Sequence, residues 1–375
     1  MSRPLIDACL VLAFGYATGL ELGKIAPYAV RISESYGTGL AFSGLLTSVV
    51  TLFVALFAAF LGRPLVRFGL LRSLRASAVL IVAGSALFVL PLGPMGLMAA
   101  RMVEGAGYVL AAIAAPAWLA NAPIGSARPV FMALWGSVVP VGFAAAAALA
   151  GVLPDHLPTG LQLAIFALPV AMLSLPVLAV RAVPPVKEVQ TKPAAWRDVA
   201  WSLAVAFGLY VFLSMGFFSF LPTFAQERGL AAIGLVPLMV PLGSFATAAI
   251  LPVLRRENGP VLAVAGFAVA AVAALWMFHM GASAVLFIYA FACGVSSSAT
   301  LASVLVAAPG ENASARTLGA MAQCGGVTAF LGAPFAGALL DRMGWQALGV
   351  ALCAAAIVAA ATLLAARGRG RRSGY

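Results

Sequence analysis

Four ionisable residues stand out because of where they fall. Glu21 and Lys24 lie three apart in one long apolar stretch, and Arg101 and Glu104 three apart in another. On a helix, residues three apart share a face, so each pair sets an acid beside a base. A charge inside a membrane-spanning segment is expensive, and such residues mark solute or proton pathways. At 1.5 Å per residue, Glu21 and Glu104 sit about 12–13 Å below the outer ends of their helices, and Lys24 and Arg101 about 7–9 Å. If the two helices face each other, the four meet at one level. An incoming anion then competes for Lys24 and Arg101, and the carboxylate that loses its partner, Glu21 or Glu104, takes up a proton. The plainer reading is a salt-bridge network that only orients helices, and buried ion pairs are weak evidence of stability.

The elements that must position these residues follow from composition. Of 375 residues, 63% are hydrophobic and only 9% charged, against about a quarter charged in soluble domains. Lipid is the solvent for such a chain, and its backbone must pair within helices or a closed barrel. Apolar stretches of about 20 residues, without alternation, exclude barrel strands of roughly 9–11. Cutting at charged and Pro/Gly-rich breaks predicts twelve spans, at 5–29, 40–61, 74–93, 95–115, 129–151, 161–181, 198–221, 232–254, 260–279, 283–308, 316–339 and 345–366. The first is read as a transmembrane helix rather than a signal peptide, because it is long and carries Asp7.

The net charge of +11 reads as topology rather than nucleic-acid binding. With the N-terminus inside, the inner segments hold Arg3, Arg63, Arg67, Arg72, Arg75, Arg128, Arg181, Lys187, Lys192, Arg197, Arg255, Arg256, Arg316, Arg367, Arg369, Arg371 and Arg372. The outer loops hold only Arg31, Arg228 and Arg342, so 17 against 3 puts both termini in the cytoplasm. The basic C-terminal tail suits anionic lipid headgroups.

The one sizeable hydrophilic connection, residues 182–197, divides a six-span bundle over 1–181 from another over 198–375. The two resemble each other. Gly39-Leu40-Ala41 is echoed by Gly229-Leu230-Ala231, Gly69 by Gly259, and Ala13-Phe14-Gly15 by Ala206-Phe207-Gly208. Ordered matches at a nearly constant offset support a duplication.

Two six-helix halves, a basic central linker and a basic loop after the second span resemble the major facilitator superfamily over nearly the whole chain. The family's G-x-L-A-D-R-x-G-R-R signature is matched by Gly62, Arg67 and Gly69, while Val66 stands in place of the Asp. The resemblance implies a conformational gate at Gly62, Arg67 and Gly69, with a latch weakened by the loss of that acid. Arg101-Met102-Val103-Glu104-Gly105-Ala106-Gly107 is similar to the R-x-x-Q-G-x-G element, whose Arg is tied to proton coupling in drug antiporters. The antiporters' G-P-x-x-G-G is absent from the fifth span, which has Trp135-Gly136 and Pro140-Val141-Gly142 instead; Ala133-Leu134-Trp135-Gly136 is similar to cyanate-permease-like members. Gly332 to Gly337 followed by Asp341-Arg342-Met343-Gly344 matches many members. In the family the first and fourth helices line the central cavity.

The remaining candidates are softer. Tyr16, Tyr210, Phe217 and Tyr289 have the chemistry of an amphipathic cavity lining, though aromatic residues in spans more often pack. Gly15, Gly19 and Gly23 read as a helix-packing stripe. Ser296, Ser297, Ser298, Thr300, Gln323 and Thr328 have polar groups for a pore, but most are expected to bond backbone. Cys9, Cys293, Cys324 and Cys353 lie in apolar segments without metal or disulfide spacing, and no cofactor is expected. There is no P-loop and no nucleophile–base pair, so neither an ATP-driven pump nor an enzyme is expected.

The expectation is therefore an all-α, monomeric inner-membrane secondary transporter of about twelve helices. It would move a small solute, best an organic anion with protons in symport, by alternating access. Substrate contacts are expected from Lys24, Arg101, Tyr16 and Tyr210, and proton coupling from Glu21 and Glu104. Proton-coupled efflux of a drug or metabolite, and a membrane sensor on a transporter fold, remain alternatives.

Overall fold

The structure is a computed structural model, and its description covers residues 3–127, 131, 134–180, 199–230, 233–254, 258–280, 283–307 and 311–372. The expected linker 182–197, and Arg128, Arg181, Arg255 and Arg256, lie outside the described residues. Among the described residues all regular structure is helical.

The N-terminal half comprises α1 (Arg3–Gly23), α2 (Ala29–Tyr36), α3 (Leu40–Phe68), α4 (Leu70–Leu87), α5 (Gly93–Asn121), α6 (Val138–Val152), α7 (Thr159–Ile165) and α8 (Leu168–Leu178). The C-terminal half comprises α9 (Trp201–Phe218), α10 (Leu221–Arg228), α11 (Met239–Leu254), α12 (Gly259–Met280), α13 (Ser283–Ala302) and α14 (Glu311–Arg372). Ten stretches among the described residues are long and apolar enough to cross a membrane. Two features account for the difference between this number and the expected twelve. The stretch Thr317–Ala366 holds two helices that meet at a kink at Gly344, whose φ of 74° is non-helical, and so contains both of the last two expected spans. The fifth is represented by α6, at 15 residues a short apolar helix.

The two halves repeat each other in their breaks. α1 stops four residues before Pro27, and α9 four residues before Pro222. A proline ring collides with the carbonyl four residues back, so neither helix continues. Each resumes as a short helix closed by a left-handed glycine, Gly37 (φ 62°) and Gly229 (φ 60°). Their packing repeats too. A Cβ on Gly105 would come within 3.0 Å of Val50 Cα, and one on Gly294 within 3.0 Å of Val240 Cα. The α1 stripe is a packing seam, as expected: Gly15 meets Trp135, Gly19 meets Gly142 and Val138, and Gly23 meets Phe143.

The halves meet along α3 and α14 and, through α6, at the 3-10 turn Ile233–Leu238. At the end of the bundle holding the loops after α2 and α10, here called the far end, they are closed. Asp341 accepts hydrogen bonds from the Leu40 and Ala41 amides, both at 2.9 Å, and so caps α3 from the other half. Gly337 lies against Leu40–Ala41 and Gly44 against Ala333–Pro334. The near end is marked by Arg3 donating to the Ala179 carbonyl (2.9 Å) and Thr317 Oγ1 accepting from the Ala200 amide (3.1 Å).

The expected gate lies at the near end of α3: Gly62 is helical, Arg67 is exposed in the last turn, and Gly69 (φ 102°) separates α3 from α4. The frame Gly62…Arg67-Phe68-Gly69 recurs at the far end as Gly337…Arg342-Met343-Gly344, with Asp341 at the place of Val66. Both closing glycines have positive φ.

Candidate functional site

Glu21, Lys24, Arg101 and Glu104 form one cluster inside the N-terminal half, each at most 2% exposed. Lys24 Nζ lies 2.8 Å from Glu21 Oε2 and 2.5 Å from Glu104 Oε1, and Arg101 Nη1 lies 2.6 Å from Glu104 Oε2. Ser85 of α4 completes it, accepting from Lys24 (2.9 Å) and donating to Glu104 (2.6 Å). The Phe88 ring lies under Lys24 Nζ at 4.6 Å.

The break in α1 explains the position of Arg101. Ending a helix at Gly23 leaves its last carbonyls without amide partners. Arg101 gathers two of them, donating to the carbonyls of Glu21 (3.0 Å) and Leu22 (3.4 Å), and ties them to α3 through the Leu46 carbonyl (2.8 Å). In the C-terminal half the Tyr289 hydroxyl instead donates to the Leu213 carbonyl inside α9 (3.3 Å), and its ring packs edge-on against Phe217 with centroids 4.8 Å apart. Tyr289 and Phe217, two aromatic candidates for a cavity lining, are 0% and 1% exposed.

The two acids differ. Glu104 uses both carboxylate oxygens, whereas Glu21 uses Oε2 and leaves Oε1 buried without a hydrogen-bond partner. Room for Glu104 depends on Gly84, since a Cβ there would fall 2.6 Å from Glu104 Cγ.

A cavity of about 310 Å³ lies between the halves, walled by α1, α3, α5, α6 and the segment before it, α9 and α14. Tyr108, Trp135, Phe207, Tyr210 and Phe218 give it an aromatic lining, with Thr51 and Ser214 supplying hydroxyls. Lys24, Arg101, Glu21 and Glu104 are not among its lining residues, but Leu22, next to Glu21, is. Of the two tyrosines expected to contact substrate, Tyr210 faces this space. The Tyr16 hydroxyl instead lies 3.1 Å from the Leu134 carbonyl and 2.9 Å from Ser137 Oγ, tying α1 to the segment before α6.

Most of the softer polar candidates bond backbone: Ser296 to Ala292, Ser297 to Gly294 and Thr300 to Ser296. Others bridge helices, with Thr328 donating to the Gly208 carbonyl (2.7 Å) and Gln323 to the Ala55 carbonyl. Sequence reasoning missed Ser85, Tyr108, Trp135 and Ser214 as site residues. For Ser85 the one available signal was its place beside Gly84 in an apolar span.

Among solved structures the chain is similar to the human organic anion transporter MFSD10 (TETRAN), at 16% identity and a TM-score of 0.71, covering 97% of this chain and 100% of that one. It is also similar to a bacterial homologue of the human lysosomal transporter Spinster. The inward-facing unoccupied form gives 15% identity and a TM-score of 0.72, and the occupied form 15% and 0.73, each covering 98% of both chains. At such identities the likeness is one of fold. No curated protein sequence matches the chain. The two halves repeat the same breaks and contacts, and the family model described as Major Facilitator Superfamily matches residues 9–333, so the chain belongs to that superfamily.

Proposed function

We propose that this protein is a secondary transporter moving a small organic solute together with protons, by rocking of the two halves around the central cavity. The observation that carries the reading is the cavity itself, which lies between the halves and touches the α1 break at Leu22. Arg101 holds that break, so a change in the charge cluster and a change at the cavity wall are mechanically one event. Residues 1–181 and 198–375 are the moving bodies and 182–197 their tether. The arginine and lysine asymmetry supports an inner-membrane location with the near end and both termini cytoplasmic. The sealed far end then supports reading this conformation as inward-facing, and a monomer suffices for the cycle.

The proton role goes to Glu21 rather than Glu104. An unpartnered buried carboxylate oxygen is costly, and a proton on it removes the charge that makes it so. An organic anion held by Lys24 and Arg101 would need both cations to turn toward the cavity. In this conformation both are 0% exposed and engaged by carboxylates, which supports a coupling role over solute contact. Efflux and uptake use the same geometry and differ in which gradient is larger.

The test uses proteoliposomes with an imposed proton gradient. Glu21→Gln is expected to lose proton-driven accumulation while retaining exchange of solute across the membrane. Accumulation undiminished in both Glu21→Gln and Glu104→Gln would leave the cluster a purely structural element.

A further inference from the structure

We infer that the central cavity selects an uncharged, flat amphipathic solute, an aromatic or heteroaromatic ring bearing a neutral hydrogen-bonding group, and rejects ligands with a formal charge. This rests on the transport reading and names the substrate class of the same site.

The first observation concerns charge. No Asp, Glu, Lys, Arg or His is among the described residues lining the cavity. The four charged groups of the neighbouring cluster are at most 2% exposed and spend their charge on one another. A carboxylate or ammonium entering the cavity would lose water and gain no counter-ion, the least favourable way to bury a charge.

The second concerns shape. Tyr108, Trp135, and Phe207 with Tyr210 come from three different segments around one space of about 310 Å³. The wall contributed by α14 is small, made of Ala322, Gly325, Gly326 and Ala329, and a Cβ on Gly325 would come within 3.4 Å of the Phe207 ring. Rings opposed to a glycine wall leave a slot that suits a planar ligand, and offset or edge-on ring contacts reward one.

The third is an open hydrogen-bonding group. Ser214, one turn from Tyr210 on α9, is 8% exposed and lines the cavity, and apart from the neighbouring Tyr210 hydroxyl no group engages its Oγ. Neighbouring polar candidates such as Ser297 and Thr328 are already bonded to carbonyls. A neutral donor or acceptor on the solute would satisfy Ser214, and an apolar solute would leave it unsatisfied.

The experiment uses the full chain in lipid nanodiscs and three probes on one ring system: indole-3-acetamide (neutral), indole-3-acetate (anionic) and tryptamine (cationic). Thermal-shift titration is expected to show the amide binding at least tenfold tighter than either charged probe. Ser214→Val, which keeps the volume but removes the hydroxyl, is expected to weaken the amide by about tenfold, the worth of one neutral hydrogen bond left unmade. Ala322→Trp, at an exposed position on the cavity wall, is expected to abolish binding while the protein still unfolds cooperatively. Equal or tighter binding of the acetate or of tryptamine overturns the inference, as does no shift with any probe. Counterflow of the bound probe in proteoliposomes separates the two claims. If the acetate binds and is carried, transport stands and this inference falls. If the amide binds as expected but is never carried, the site stands and the transport reading falls.

Discussion

Replacing Glu104 with Gln should destabilise the protein far more than the same change at Glu21. Among the described residues Glu104 is the one carboxylate paired with Arg101, and it shares Lys24 with Glu21. Glu104→Gln therefore leaves a buried guanidinium without a counter-ion, a loss of about 3–5 kcal/mol. Glu21→Gln removes one ion pair through Oε2 and touches nothing at the already unpartnered Oε1. Losing one charge-assisted hydrogen bond while Glu104 still holds both cations costs about 1.5–3 kcal/mol. At roughly 2 °C per kcal/mol for a chain this long, the apparent Tm falls by about 6–10 °C for Glu104→Gln and about 3–6 °C for Glu21→Gln. The assay is thermal unfolding of purified protein in one detergent. A double variant adding Lys24→Met to Glu104→Gln restores charge balance and should recover part of the loss, which a double-mutant cycle reads directly. Equal losses for the two Gln variants, or no recovery in the double, would refute the proposed division of labour between the acids.

Other outcomes follow from the same contacts. Gly84→Ala places a methyl 2.6 Å from Glu104 Cγ; it should cost about 1–3 kcal/mol by overpacking and reduce coupled transport, measured by unfolding and flux together. Asp341→Ala removes the cap on α3, about 1 kcal/mol, and should speed labelling of a single cysteine at Ala147, which lines a recess with Leu221, Pro222 and Leu230 near the loop after α10, by about fivefold. Val66→Asp supplies the near end with the acid that the far-end frame already has, and should slow labelling of near-end cysteines; unchanged rates would show that this loop is no latch. Reporter fusions active only outside the membrane should be silent at Gln190 and Tyr375 and active near Asp155.

The helices and the charge cluster were legible because lipid punishes exceptions. A Glu or Arg in an apolar span is conspicuous, and spacing by three placed each pair on one face. Composition could not reveal the geometry of bends: Gly344 kinks the chain between the last two expected spans, and nothing in hydropathy separates a glycine that turns a chain from one that lets helices touch. Tyr16 and Tyr210 look alike in sequence, yet one ties α1 to its neighbour and the other faces the cavity, because orientation depends on which helix lies opposite. Trp135 was read only as part of a family pattern, although its ring against Gly15 is what brings the segment before α6 to the cavity. The far-end cap was also within reach, since Asp341 completes the same eight-residue frame that Val66 leaves incomplete.

The charge cluster has a consequence for membrane voltage. When all four groups are ionised, Glu21, Lys24, Arg101 and Glu104 sum to zero. A carrier that reorients empty with the cluster intact moves no net charge there through the electric field, so that step is insensitive to the membrane potential. One proton on the cluster changes this, since each elementary charge carried across gains or loses about 2.3 kcal/mol per 100 mV. With an uncharged solute, the whole voltage dependence of the cycle resides in the proton-loaded step.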